Sequence, residues 1–104
     1  MAVKKNKQMT YAITGKLIAK LGTLTVNDKF KKQEFVIEVS EEVNGNVYPN
    51  PIKMQLVNNR CSLVDLVPIG ANIKCSFNIK GNSWQKDGKA NYMVNLDCWK
   101  IENA

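Results

Sequence analysis

Apolar and polar residues alternate with period two along most of this chain, and that period belongs to strands that put one face on a core and the other in solvent. Around "QEFVIEVSEE", Phe35, Ile37 and Val39 share one face, and Lys32, Glu34 and Glu38 the other. The stretch from Tyr11 sets Tyr11, Ile13, Gly15, Leu17, Ala19 and Leu21 against Thr10, Thr14, Lys16 and Lys20, with a bend expected at Gly15. "IKMQLV" turns Ile52, Met54 and Leu56 inward and Lys53 and Gln55 outward, while "ANIKCSFNIKG" turns Ile73, Cys75, Phe77 and Ile79 inward. "KANYMVNLDCWKIE" is a fifth such run. Between them, "GTLTVNDKFKK" breaks the pattern and reads as a loop with a basic ascending side. Asn44-Gly45 is a strong turn dipeptide, and Pro49 and Pro51 confine the strand after it to a short one.

One segment departs from this period. In "RCSLVDLVPIG", Leu63, Leu66 and Val67 recur at helical spacing before Pro68 and Gly70, which predicts one or two helical turns. Five strands, mostly antiparallel, with a helix between the third and fourth make an all-β chain with the element order of the OB-fold, a five-stranded Greek-key barrel. SH3-like barrels also have five strands, but their helical element precedes the last one. At 104 residues the chain is a single domain. The barrel is expected over residues 10–104, preceded by a flexible basic arm, residues 1–9, with Lys4, Lys5 and Lys7.

Asp87-Gly88 is the signal of a two-residue hairpin turn between the last two strands, and it forces a register. Lys86 then faces Lys89, Gly81 meets Val94, Ile79 meets Leu96 and Phe77 meets Cys98. Apolar residues thus pair across one face, which builds a single core, and Tyr92 falls on that inward side. Lys80, Trp84, Lys86, Lys89, Asn91, Met93, Asn95 and Trp99 collect on the other. A bulge at Gly81 would reverse the assignment of Trp84. Trp99 reads as packing or as a subunit contact.

Charge narrows the function. Fifteen basic residues face nine acidic ones, for a net +6, and Arg60 is the only arginine. Lysine tracks a phosphate chain as a hydrated point charge, whereas arginine reads guanine edges bidentately, so backbone binding is expected rather than sequence reading. The chain has no histidine, no C-x-x-C and no phosphate-cradling glycine loop, which disfavours enzymatic chemistry, a metal site, a cofactor and a small-molecule substrate. Cys75 and Cys98 lie in apolar runs and read as buried hydrophobes of a reducing compartment. With no membrane span and no signal-peptide core in the sequence, the expected location is the cytoplasm.

Aromatic side chains among lysines suit single-stranded nucleic acid, whose bases stack while its phosphates demand positive charge. OB-folds bind through strands 2 and 3 and through the loops joining strands 1 to 2 and 4 to 5. On that plan Phe30, Lys31 and Lys32 lie on one side, Trp84, Lys86 and Lys89 on the other, and Lys16, Lys20, Lys53 and Gln55 line the groove between. Tyr48 adds a further platform. Phe30 has a second reading as a plug for one end of the barrel. The expected partner is single-stranded DNA, with RNA as a variant. A protein-interaction or assembly module is the alternative, with Glu38, Glu41 and Glu42 as its contact group.

The segments "KKQEFVIE", "YPNPIKMQLV" and "GANIKCSFNIKGNSWQKDGKANYMVNLDCWKIE" resemble a family of short bacterial and bacteriophage domains of unknown function. The likeness runs from Ile13 to Glu102. It implies an OB-fold akin to single-stranded DNA-binding proteins, and with it a homo-oligomer that coats single strands in replication, recombination or repair. Such proteins end in an acidic tail, whereas this chain stops at "WKIENA", so the expectation is a minimal phage-type binder acting in the host cytoplasm.

Overall fold

The computed structural model describes residues 10–104, apart from the side chain of Val26; the basic arm expected over residues 1–9 lies outside the described residues. Five strands follow one another as β1 (Tyr11–Asn27), β2 (Phe30–Val43), β3 (Asn46–Val57), β4 (Asn72–Lys86) and β5 (Lys89–Asn103), with a 3-10 helix, Asn58–Val64, between β3 and β4. They close into a barrel in the order β1-β2-β3-β5-β4. All pairings are antiparallel except β3 with β5, which run parallel and meet at Gln55↔Asp97. This is the OB-fold expected from the element order.

The core is built from the alternating sets read in the sequence. Leu17, Phe35, Ile37, Met54, Leu56, Ile73 and Cys75 are fully or almost fully buried, and Val64, Phe77 and Cys98 join them. β1 makes closure geometrically feasible because it serves two neighbours. Its first part, Tyr11 to Lys16, pairs with β4, and from Lys16 onward it pairs with β2. Gly15 sits at that handover, where a Cβ would lie 2.9 Å from the Glu38 carbonyl oxygen and 3.2 Å from Val39 Cγ2. Glycine is required there for a steric reason: the two backbones approach too closely for any side chain.

Three readings are corrected. "GTLTVNDKFKK" is not a loop but the tip of a long β1–β2 hairpin, turning at Asp28 and Lys29, where the Asn27 side-chain oxygen accepts from the Lys29 N–H at 2.8 Å. The strand after Asn44-Gly45 is not short. β3 pairs with β2 through Ser40↔Pro49 and Glu38↔Pro51, and its opposite edge meets β5 only further along, so both prolines lie where β3 is an edge strand, the setting in which proline is tolerated. The helix buries a different face from the one expected. Cys61 and Val64 are inside, three residues apart as suits a 3-10 turn, while Leu66 is 95% exposed.

The helix is pinned by polar contacts. The Cys61 thiol donates to the Leu56 carbonyl at 3.4 Å. Buried Gln33, with its amide nitrogen turned toward the helix, donates to the Cys61 carbonyl at 2.7 Å and to Asp65 Oδ1 at 3.3 Å, which satisfies a polar group inside the barrel. Among the described residues no helix is long and apolar enough to cross a membrane.

Candidate nucleic-acid interface

The β4–β5 hairpin has the register that Asp87-Gly88 predicts. Phe77 faces Cys98, Ile79 faces Leu96, Gly81 faces Val94 and Lys86 faces Lys89, with no shift from Phe77 to the tip. Asp87 and Gly88 both take positive φ, 53° and 76°, as a two-residue turn of the primed type requires. Trp84, opposite Asn91, therefore shares a face with Lys80, Lys86, Lys89 and Met93, and it is 44% exposed.

The other face does not go where alternation sent it. β1 meets β4 only from Phe77 down to Asn72, and β3 touches β5 at Gln55↔Asp97, so beyond that level the hairpin stands clear of the barrel wall. Tyr11 stacks on Phe77 with ring centroids 5.8 Å apart where the core ends. Past this point both faces meet solvent. Ile79 is 51% exposed, Val94 66% and Tyr92 78%, although all three carry the inward parity. Tyr92 is thus an exposed aromatic that sequence reasoning assigned to the core. Alternation says which residues share a face, but not whether a barrel lies behind that face.

The remaining expected residues fall into separate groups. Because β3 and β5 run parallel, the start of each lies at the same end of the barrel. The β2–β3 hairpin bearing Tyr48 and the β4–β5 hairpin bearing Trp84, Lys86 and Lys89 consequently project from one end. Tyr48 is half-exposed, but its cross-strand neighbour is Glu41, and Glu38 and Glu42 share its arm, so its surroundings are acidic. Phe30 and Lys31 stand at the opposite end, at the base of the β1–β2 turn, with Phe30 partly buried.

Lys32, Lys53 and Gln55 lie on the outer surface of β2 and β3 that connects the two ends. Two of them have internal partners there. Lys53 Nζ is 3.4 Å from Glu34, and the Gln55 amide donates to Asp97 across the β3–β5 seam. Lys16 sits on the flank, on β1 between Glu38 and Asn72. Lys20 leaves the outer face altogether. An irregularity between Leu17 and Ala19 brings Lys20 opposite buried Phe35, and its Nζ donates to the Asp65 carbonyl at 3.1 Å, just past the 3-10 helix. The groove residues therefore divide into a tip-to-tip surface along β2–β3 and two lysines that stand apart from it. Trp99 is the bulged residue between Cys98 and Lys100; it is half-buried, and its Nε1 is buried without an acceptor.

This architecture has known counterparts. Residues 12–102 match the model of the family described as Domain of unknown function (DUF3127). The chain belongs to that family. No curated protein matches it. Among solved structures, the DUF3127 barrel is similar to the mitochondrial single-stranded DNA-binding protein Rim1 of S. cerevisiae, with a TM-score of 0.65 at 13% identity over 93% of this chain and 95% of that one. It is also similar to a small single-stranded DNA-binding protein from Streptomyces coelicolor, with a TM-score of 0.59 at 7% identity over 94% of this chain and 95% of that one. At such identities the likeness is one of fold. Within that fold, this DUF3127 chain carries a free-standing hairpin with Trp84 and Tyr92 on opposite faces and an acidic β2–β3 arm.

Proposed function

We propose that this protein binds single-stranded DNA through its backbone and through stacking of bases, largely without regard to sequence. The observation that carries the reading is the β4–β5 hairpin: a tryptophan and a tyrosine exposed on its two faces, beside Lys80, Lys86 and Lys89, on a chain of net charge +6. Aromatics exposed on a strand pair beyond the core are open to a ligand, and a base offers them a flat partner. The strand would run from the hairpin along the outer surface of β2–β3, past Lys53 and Lys32, toward Phe30 and Lys31. The two solved structures similar to it are described as single-stranded DNA-binding proteins, which supports the same class of ligand. The protein acts as a binder rather than an enzyme, in the cytoplasm, as a homo-oligomer serving phage-type replication, recombination or repair.

Titration with oligo-dT at low salt should quench tryptophan emission, and the affinity should fall steeply as salt rises, because bound lysines release counterions from the DNA. Unchanged emission and mobility at low salt would sink the reading. A second reading rests on the β2–β3 arm, where Glu38, Glu41 and Glu42 accompany exposed Val43, Val47 and Tyr48: a protein-interaction module in which this arm is the contact. Co-purification of a fixed protein partner free of nucleic acid, lost when Glu41 and Glu42 become lysine, would favour it.

A further inference from the structure

The end of the barrel opposite the hairpin holds a cleft of about 550 Å³ between the β1–β2 turn and the first residues of the 3-10 helix. Asn27, Asp28, Lys29, Phe30, Lys31 and Asn58 line it. A nucleotide fits such a volume, and the chemistry of the walls is more selective than a phosphate track needs.

The two asparagines have half of each amide already engaged. Asn27 Oδ1 accepts from the Lys29 N–H at 2.8 Å, and Asn58 Oδ1 accepts from the Lys31 N–H at 3.2 Å. Each keeps its Nδ2 donor pair free for a ligand, beside an oxygen already held by backbone. The Lys29 and Lys31 ammonium groups add to this, and Arg60, the only arginine of the chain, lines an adjoining cleft of about 300 Å³ that shares Asn58. Against this surplus of donors stands one carboxylate, Asp28, and one flat apolar surface, the half-buried Phe30.

Guanine answers this pattern better than the other bases. Its O6 and N7 are adjacent acceptors for the amide and cationic donors. Its N1–H and N2–H₂ are adjacent donors that a carboxylate accepts in a bidentate pair. Thymine has a single ring N–H, and neither cytosine nor adenine places two donors side by side on its pairing edge. We propose that this cleft is a guanine-selective subsite for one unstacked base of a bound single strand. Phe30 stacks the base, Asp28 holds its N1–H and N2–H₂ edge, and Asn27 and Asn58 donate toward the opposite side. This subsite rests on the reading of the protein as a single-stranded DNA binder.

The test is fluorescence anisotropy with labelled 20-mers of thymine only, and of thymine with isolated guanines spaced to prevent quadruplex formation. Wild type should bind the guanine-containing strand about five- to tenfold more tightly, the low end of what a bidentate base contact discriminates. Asp28→Asn, with folding checked by thermal melt, should bind the two strands with equal affinity, because the carboxylate that distinguishes guanine is gone. Inosine in place of guanine, lacking the N2 amine, should lose most of the preference. Equal wild-type affinity for the two strands, or a guanine preference that survives Asp28→Asn, overturns the subsite while leaving single-strand binding intact. Failure to bind either strand removes the underlying reading, and the subsite with it.

Discussion

Trp84 and Tyr92 lie eight positions apart in one hairpin, yet they face opposite ways and are both exposed. A large aromatic left in water on a strand pair contributes little to folding, since its removal uncovers no core. Trp84→Ala should therefore keep its folding stability within about 0.5 kcal/mol of wild type, as surface substitutions do. Affinity for oligo-dT should drop by the roughly 1 to 3 kcal/mol that one stacked base contributes. Tyr92→Ala separates the two faces. If the strand passes over the lysine face alone, Tyr92→Ala binds like wild type; if the strand wraps the hairpin, both variants lose affinity and the double variant loses more. Isothermal titration beside a thermal melt reads both quantities, and a fall in stability without a fall in affinity for Trp84→Ala would return that side chain to a structural role.

At the scale of the element, β1 carries the strongest constraint in the barrel, because one strand must pair with β4 and then with β2. The contact that permits this is backbone against backbone at Gly15 and Glu38, where a methyl group would meet the carbonyl oxygen at 2.9 Å. Backbone cannot swing aside as a long side chain can. Gly15→Ala should cost about 1 to 3 kcal/mol, the range for overpacking a close-packed site. For a domain of this size that lowers the melting temperature by several degrees, at about 4 to 8 °C per kcal/mol. Gly81 is the internal comparison. It lies in the free-standing part of β4, where a methyl group would meet nothing within 4 Å, so Gly81→Ala should melt like wild type. Equal melting of the two variants would remove the account of how β1 turns.

Across the whole molecule, two thiols share the core. Cys75 and Cys98 are both buried, and the influence of the Cys98 thiol, together with burial, pushes the Cys75 thiol well above the usual range. The folded state then keeps a proton that the unfolded chain releases near the ordinary thiol value of about 8.5, so the stabilisation is complete below that pH and is lost as pH rises above it. Urea unfolding from pH 7 to 10 should show stability falling above about pH 8.5 at up to roughly 1.4 kcal/mol per unit. Cys75→Ala should flatten that slope even though it lowers stability overall. Both cysteines were legible as core from alternation alone, as were Phe35, Ile37, Met54, Leu56 and the pairing of the β4–β5 hairpin from its tip to Phe77 and Cys98, because side-chain parity and turn chemistry are local properties. The barrel's closure order, the irregularities that carry Lys20 inward, the burial of Cys61 and Val64 in place of Leu66, and the exposure of Tyr92 were decided by tertiary structure. Period two assigns residues to faces, and a single extra residue in a strand reverses every assignment beyond it. Whether a face becomes core or binding surface depends on where neighbouring strands stop, and that length is set by pairing partners distant in the chain.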